Sequence, residues 1–412
     1  MMRPEVLGLI LAGGKGTRLE PLTKYRAKPS VPFGGRYRII DFVLSNFVNS
    51  GIYSIYVLTQ FKSQSLTEHI HDVWAFSTII PNQFVTCVPA QMNTGDYWYK
   101  GTADAIFQNM NLIRERNPHV VAIFGGDHIY KMDVSAMVRY HHDKSADCTI
   151  AAIAVPIEEA SAFGVLQIDS DWRIIGFEEK PKNPTPLPND PTMALVSMGN
   201  YVFNTRELIR SLEIDADDQS STHDFGKDIL PKMQKDGRLF AYDFRRNIIP
   251  GANPGELNDY WRDVGTLEAY YEANMDLRSV RPVFNLYNKD WPIRCEVKNS
   301  PPAKFVHLGP HRTGQAINSI VCEGAIISGA TIKDSVISSD VHVHSYSTVD
   351  GCILMDSVEV GRNCSLRRCI IDKHVRIPDN TTIGYDLEED KKRWTVTDGG
   401  IVVIEKSRKF LA

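Results

Sequence analysis

The sequence predicts an α/β architecture, a mostly parallel sheet with helices on both faces, followed by a parallel β-helix. Two observations carry that reading. Short apolar runs alternate with segments of helical period through residues 1–275, the pattern of a mostly parallel sheet covered by helices. From about residue 306 that period gives way to an aliphatic repeat of six. At 412 residues the chain is long enough for two domains, and Ser300-Pro301-Pro302 marks a break between them. The expected boundaries are 1–275, a linker at 276–305, and 306–412.

The elements of the first half follow from local signals. Val6 to Ala12 is an unbroken apolar run and reads as a buried strand. Ile40, Val43, Leu44 and Phe47 share one helical face, and Gly51 closes that helix. Ile52 to Leu58 reads as a strand. Ser65-Leu66-Thr67-Glu68 has the form of a capping box opening a helix to about Phe76. Thr102 is a candidate cap for a helix whose Ala103, Ile106, Met110 and Ile113 share a face, stopped near Asn117-Pro118. Val120 to Phe124 is a strand, Asp133 a candidate helix cap, and Thr149 to Val155 a further strand.

In the tail, Ile320, Ile326 and Ile332 are six apart, as are Ile337, Val343 and Val349, then Leu354, Val360 and Leu366, then Ile371, Ile377 and Ile383. Each triplet starts 17 residues after the previous one. Three inward aliphatic positions per turn give four turns of a β-helix with a triangular cross-section. Its two open ends need cover from neighbouring structure or another subunit.

Bulk composition excludes several classes. Hydrophobic content of 43% and charged content of 23% are those of an ordinary globular protein. A net charge of −4 points to neither nucleic acid nor a membrane surface. There is no signal-peptide pattern and no apolar run of membrane-spanning length. Seven scattered cysteines without a C-x-x-C pair fit reduced thiols in a cytoplasmic protein.

The apolar run Val6 to Ala12 opens directly into Gly13-Gly14-Lys15-Gly16-Thr17-Arg18-Leu19. Three glycines in four positions allow close backbone approach and aim N–H groups at an anion, and Lys15 and Arg18 add two cations. The turn suits a polyphosphate, although it matches neither the Walker loop nor the dinucleotide fingerprint. Asp127, in Gly125-Gly126-Asp127-His128, falls at the carboxyl edge of the same sheet, where ligands of such sheets bind. Asp263, in Tyr260-Trp261-Arg262-Asp263-Val264-Gly265-Thr266, offers a second carboxylate. Two aspartates and a phosphate loop are what Mg²⁺-dependent phosphoryl chemistry requires, since that ion takes one or two carboxylates and completes its octahedron with phosphate oxygens and water.

The segments LAGGKGTRLEPLT, RAKPSVPFGGRYRIIDFVLSN, WYKGTADAIFQN, FGGDHIYKMD, GFEEKP, SMGNYVF, HDFGKDILP and YWRDVGT occur in that order. Together they resemble the bacterial ADP-glucose pyrophosphorylases (glucose-1-phosphate adenylyltransferases), over nearly the whole chain. The resemblance implies a Rossmann-like nucleotidyltransferase sheet with a left-handed parallel β-helix. It implies the reaction of ATP with glucose 1-phosphate to ADP-glucose and pyrophosphate, with Mg²⁺ held by Asp127 and Asp263, in the service of glycogen synthesis. Lys15 and Arg18 would stabilise charge on the triphosphate, and Lys180 would clamp the sugar phosphate. On the ATP side it implies Leu11, Ala12, Gly13, Gly14, Gly16, Thr17, Lys28, Gln91, Tyr99, Gly101 and Asp104. On the glucose side it implies Gly164, Glu179, Ser197, Tyr201, Asp224, Phe225 and Trp261.

The resemblance further implies a homotetramer and regulation by small phosphorylated effectors at a cationic pocket between the two halves. Arg26, Lys28, Arg38 and Lys373 stand at matching basic positions, whereas Tyr25 and Pro32 depart from the basic residues of the enteric-type pattern, and Lys24 beside Tyr25 is the candidate for the missing charge. Three other readings share parts of the pattern. One is a sister enzyme using another nucleotide, and a second is a two-domain uridylyl- and acetyltransferase. The third is a non-catalytic regulatory subunit, which would be expected to have lost an aspartate or a phosphate-binding cation.

Overall fold

A computed structural model describes residues 5–76, 82–252 and 259–406. Its first half is built on a nine-stranded sheet. Phe84–Pro89, Ser54–Thr59, Val6–Ala12 and Val120–Gly125 lie side by side in parallel. The long strand Met193–Asn204 then runs antiparallel to Val120–Gly125 and to Cys148–Pro156. Gly164–Ile168 and Ile174–Glu179 extend the sheet as an antiparallel edge, and Leu239–Asp243 pairs in parallel with Cys148–Pro156. The parallel run is the one the alternating pattern implies. The antiparallel strand makes the sheet mixed, because local periodicity carries no information about strand direction.

Side chains alternate across Val6–Ala12, and both faces are buried. Leu7 and Leu9 join the core beneath Ala103, Ile106, Met110 and Ile113, whereas Ile10 and Ala12 join the core beneath Ile40, Val43, Leu44 and Phe47. Those two sets are the apolar faces of the helices Thr102–Phe107 with Met110–Arg116, and Ile39–Asn49. Asp133 caps the helix Val134–Asp143 by accepting from Ser135 N, as its position suggested.

Two expected caps are corrected. The helix over the capping-box segment spans Gln64–Val73, its N-cap is Ser63, and no side chain caps it. Ser65 lies inside the first turn, where its hydroxyl bonds to that of Ser30 at 2.9 Å. Thr102 is likewise the first helical residue after the N-cap Gly101, and its hydroxyl is used across the molecule instead, donating to Asp224 Oδ2.

The tail is a three-faced prism of parallel strands, with five strands on each of two faces and six on the third, where Thr395–Val396 alone pairs antiparallel, with Val402–Ile404. The inward stacks Val343–Val360–Ile377, Ile332–Val349–Leu366–Ile383 and Ile337–Leu354–Ile371 keep the 17-residue register. The first coil does not. Ile327 pairs with Val343 and Val321 with Ile337, each 16 residues on, so Ile327 rather than Ile326 is fully buried. The repeat assigned Ile320 and Ile326 to the interior; the coil is one residue shorter there, and a one-residue slip turns a strand side chain to the other face. Lys304–Val306 and Gln315–Ile317 add a coil ahead of the four expected. At the far end Leu387, Trp394 and Val396 pack on the prism's interior.

The two halves share a core. Leu19, Leu22, Phe33, Phe42, Tyr270 and Tyr271 pack with Ile353, Met355, Ile370, Ile401 and Val403 of the β-helix. The stretch between them is tied down as well: Phe284, Trp291 and Ile293 are buried, and Trp291 Nε1 donates to Asn46 Oδ1 at 3.2 Å. All seven cysteines are free thiols. No helix among the described residues is long and apolar enough to cross a membrane.

Candidate active site

Strand ends build the site. The glycine turn follows Val6–Ala12, and Gly16 opens the short 3₁₀ turn Thr17–Leu19 at φ +64°, a left-handed conformation that favours glycine. Asp127 follows Val120–Gly125 in the adjacent strand, so turn and carboxylate sit at the same sheet edge. Asp263 ends the short strand Trp261–Asp263, which pairs antiparallel with His128–Tyr130 and sets Asp263 opposite His128. Those pairings bring two distant carboxylates together.

Lys28 lies between them. Its Nζ donates to Asp127 Oδ2 at 3.0 Å and to Asp263 Oδ1 at 2.8 Å, and its side chain is only 7% exposed. Burial alone would push the Asp127 carboxyl up and the Lys28 ammonium down. Their mutual attraction outweighs this: Asp127, flanked by Lys28, His128 and Arg18, is held well below the usual carboxylate range, and Lys28 is raised. One ligand atom from each of Asp127, His128 and Asp263 falls within 4.8 Å of the others, a group able to hold a metal ion. The fit to Mg²⁺ is good, because two carboxylates already gather around a buried cation and hard oxygen donors are what that ion prefers.

A cleft of about 520 Å³ opens beside this group. Its walls include Leu11, Ala12, Gly13, Gly14, Gly16, Lys28, Tyr99, Gly101 and Asp127. Glu179, Tyr201, Asp224 and Phe225 complete it. Arg18 is exposed, with Nη2 3.8 Å from Asp263 Oδ2, and Lys15 is exposed, with Nζ 5.1 Å from the centre of the Phe61 ring. Thr17 is exposed in the same turn. Gly164 pairs with Glu179 across the edge strands. Lys180, 62% exposed and next in the chain to the cleft-lining Glu179, has its Nζ 3.4 Å from Glu179 Oε1.

Several expected residues stand away from the cleft surface. Gln91 is exposed and does not line it. Asp104 is buried, and its Oδ2 accepts from Lys100 N and Gln108 Nε2, which flank its own helix. Ser197 and Trp261 are buried behind the wall; Trp261 packs edge-on against His128 and Phe163 at 5.1 and 5.2 Å. Sequence reasoning missed Gln60, whose Oε1 accepts from Tyr99 N, and His128, whose only signal was its place beside Asp127.

Of the basic positions expected between the halves, Lys24 and Arg26 form ion pairs that cross from one half to the other. Arg26 pairs with Asp372, Lys373 with Asp356 at 2.7 Å, and Lys24 with Glu405 at 2.8 Å. Arg38 donates to Ser30 Oγ and to the Ser65 carbonyl.

Residues 7–280 match the nucleotidyl transferase family, and residues 301–404 match the GlmU-like C-terminal hexapeptide family. The glucose-1-phosphate adenylyltransferase of Thermus thermophilus is 57% identical over the full length of both chains. That of Deinococcus deserti is 53% identical over 99% of this chain and all of its own. The chain belongs to the glucose-1-phosphate adenylyltransferase family. The glucose-1-phosphate adenylyltransferase 1 of Vibrio parahaemolyticus is 50% identical over 98% of each chain. The match to each of these relatives runs through both the sheet and the β-helix of this chain.

Proposed function

We propose that this protein joins ATP and glucose 1-phosphate to give ADP-glucose and pyrophosphate. The observation that carries the reading is the convergence of Asp127 and Asp263 on one buried cation beside the glycine turn. A sugar-phosphate oxygen attacks the α-phosphorus of ATP in line, one P–O bond forms, and the bond to the departing pyrophosphate breaks. Two anions must meet, so positioning and charge neutralisation supply most of the rate. Asp127 and Asp263 would hold Mg²⁺, which would supply neutralising charge at the phosphates. Lys15 and Arg18 face the charge that grows on the triphosphate. Leu11 to Gly14, Gly16, Thr17, Lys28, Gln91, Tyr99, Gly101 and Asp104 serve the nucleotide. Lys180 holds the sugar phosphate at the rim, and Gly164, Glu179, Ser197, Tyr201, Asp224, Phe225 and Trp261 serve the glucose.

The wider reading has residues 1–275 as the catalytic unit and 306–412 for regulation and assembly, in a cytoplasmic homotetramer that feeds glycogen synthesis. Small phosphorylated effectors bind at Lys24, Arg26, Arg38 and Lys373. Three of those cations are already matched by Glu405, Asp372 and Asp356, so an incoming phosphate competes with internal carboxylates.

Pyrophosphate release across a nucleotide panel, with glucose 1-phosphate and Mg²⁺, tests the activity. ATP is expected to exceed UTP, dTTP and GTP by more than an order of magnitude; equal use of another nucleotide, or no release with any, overturns it. A panel of sugar phosphates that changes neither rate nor substrate affinity removes the effector reading.

A further inference from the structure

Two backbone segments form one wall of the cleft, Gly101–Thr102 and Asp224–Gly226. They come from distant parts of the chain and are tied directly to each other. Thr102 Oγ1 donates to Asp224 Oδ2 at 3.0 Å and accepts from Phe225 N at 3.0 Å. The carbonyl of His223 accepts from Ala103 N at 2.9 Å and Asp104 N at 3.3 Å, which satisfies two of the open N–H groups of the helix Thr102–Phe107. The approach is so close that a Cβ on Gly101 would stand 2.2 Å from the His223 oxygen. The position of the His223 carbonyl therefore sets the position of Gly101 and, through Thr102, that of Asp224.

His223 holds this place at φ +56°, a left-handed conformation rare for a residue with a side chain. Its imidazole meets Asp215, in the last turn of the helix Thr205–Ala216 and 2% exposed. Its Oδ2 is 2.9 Å from His223 Nδ1, and its Oδ1 accepts from Ser221 Oγ at 2.7 Å. Ser221 Oγ in turn accepts from His223 N at 2.9 Å. Lys232 Nζ stands 3.4 Å from the same carboxylate and 2.7 Å from Asp218. A buried carboxylate is costly unless its oxygens are used, and Asp215 spends both on one loop. Neither Asp215 nor His223 lines the cleft.

We propose that Asp215 is a positioning residue, which through His223 holds the loop Ser221–Gly226 and the Gly101 entry in the register that binds both substrates. The inference rests on the reading of the cleft as the ATP and glucose 1-phosphate site. The groups that act on the phosphates, Lys15, Arg18, Asp127 and Asp263, stand on other elements. Loosening the loop therefore weakens binding while sparing the chemical step once the site is filled.

Steady-state kinetics of Asp215→Asn, His223→Ala and His223→Asn test it. Asparagine tolerates the left-handed conformation and carries a side-chain amide close to where the imidazole Nδ1 stands. Asp215→Asn and His223→Ala are expected to raise the KM for glucose 1-phosphate about tenfold, with a smaller rise for ATP and kcat within about threefold. His223→Asn is expected to restore KM to within about threefold of the unsubstituted protein. Unchanged KM values in folded His223→Ala, or His223→Asn as impaired as His223→Ala, overturn the proposal, and this pair decides it even where Asp215→Asn fails to fold. An unsubstituted protein inactive with ATP and glucose 1-phosphate overturns the underlying reading instead.

Discussion

Lys28 Nζ lies 2.8 Å from Asp263 Oδ1, although 235 positions separate the two residues. The same ammonium meets Asp127, so one buried cation offsets the repulsion of two carboxylates. Replacing it in Lys28→Met leaves like charges adjacent, which either part or take up a proton. Turnover is expected to fall about a hundredfold, the effect of removing one charge-stabilising group from an active site. Initial-rate assays on protein with an unchanged circular dichroism spectrum check this; a loss under about threefold would make Lys28 a filler of space.

Arg26 and Asp372 form a buried ion pair across the junction of the two halves, with Arg26 also donating to the Leu22 carbonyl at 2.9 Å. Arg26→Met strands a carboxylate in the interior and is expected to destabilise the protein by about 3–5 kcal/mol. The double variant Arg26→Met with Asp372→Leu removes the stranded charge and is expected to recover most of the loss. Thermal melts of both variants check the comparison, and equal losses would contradict it.

The short first coil of the β-helix makes a prediction that distinguishes neighbours. Ile327 is fully buried in the prism, whereas Ile326 is half-buried. Ile327→Ala is expected to cost about 2–5 kcal/mol, with Ile326→Ala costing less than half as much. Denaturant titration of the two variants reads the difference, and the reverse order would restore the uniform 17-residue register.

His141 is buried and bonds through Nδ1 to Thr149 Oγ1 at 2.9 Å. Burial lowers its pKa from the ordinary 6.5 to about 4, against the pull of Asp147. Above the ordinary value both folded and unfolded chains carry the neutral ring, and stability does not depend on this group. As pH falls from 6.5 towards 4 the unfolded chain takes up the proton first, so stability drops, by about 3 kcal/mol in total. His141→Asn keeps a polar contact for Thr149 without titrating. Its unfolding midpoint is expected to depend less on pH across that window than that of the unsubstituted protein, and parallel curves would exclude His141 as a source of the dependence.

Much of the fold was legible because burial repeats with the period of the backbone. Leu7, Leu9, Ile10 and Ala12 of the first strand and the face Ile40, Val43, Leu44 and Phe47 are buried where their spacing says they should be. The inward stacks from Ile332 onward follow from spacing in the same way. Other features depend on partners remote in sequence. Ser65 has the right neighbours for a cap, yet its hydroxyl meets Ser30. Thr102 serves Asp224 and Phe225 rather than its own helix. The bridging of Asp127 and Asp263 by Lys28 depends on contacts across 99 and 235 positions, beyond the reach of any local pattern. The antiparallel course of Met193–Asn204 is set by topology, to which an apolar run is blind.

The apolar seam formed by Leu22, Phe33 and Tyr270 with Ile353, Ile370 and Val403 gives the chain a single fate under stress. Severing the polypeptide near residue 300 would leave each fragment with a raw oily surface that only the other can cover. The two pieces would stay together as a non-covalent pair or precipitate apart, and heating the intact chain would melt both in one cooperative step.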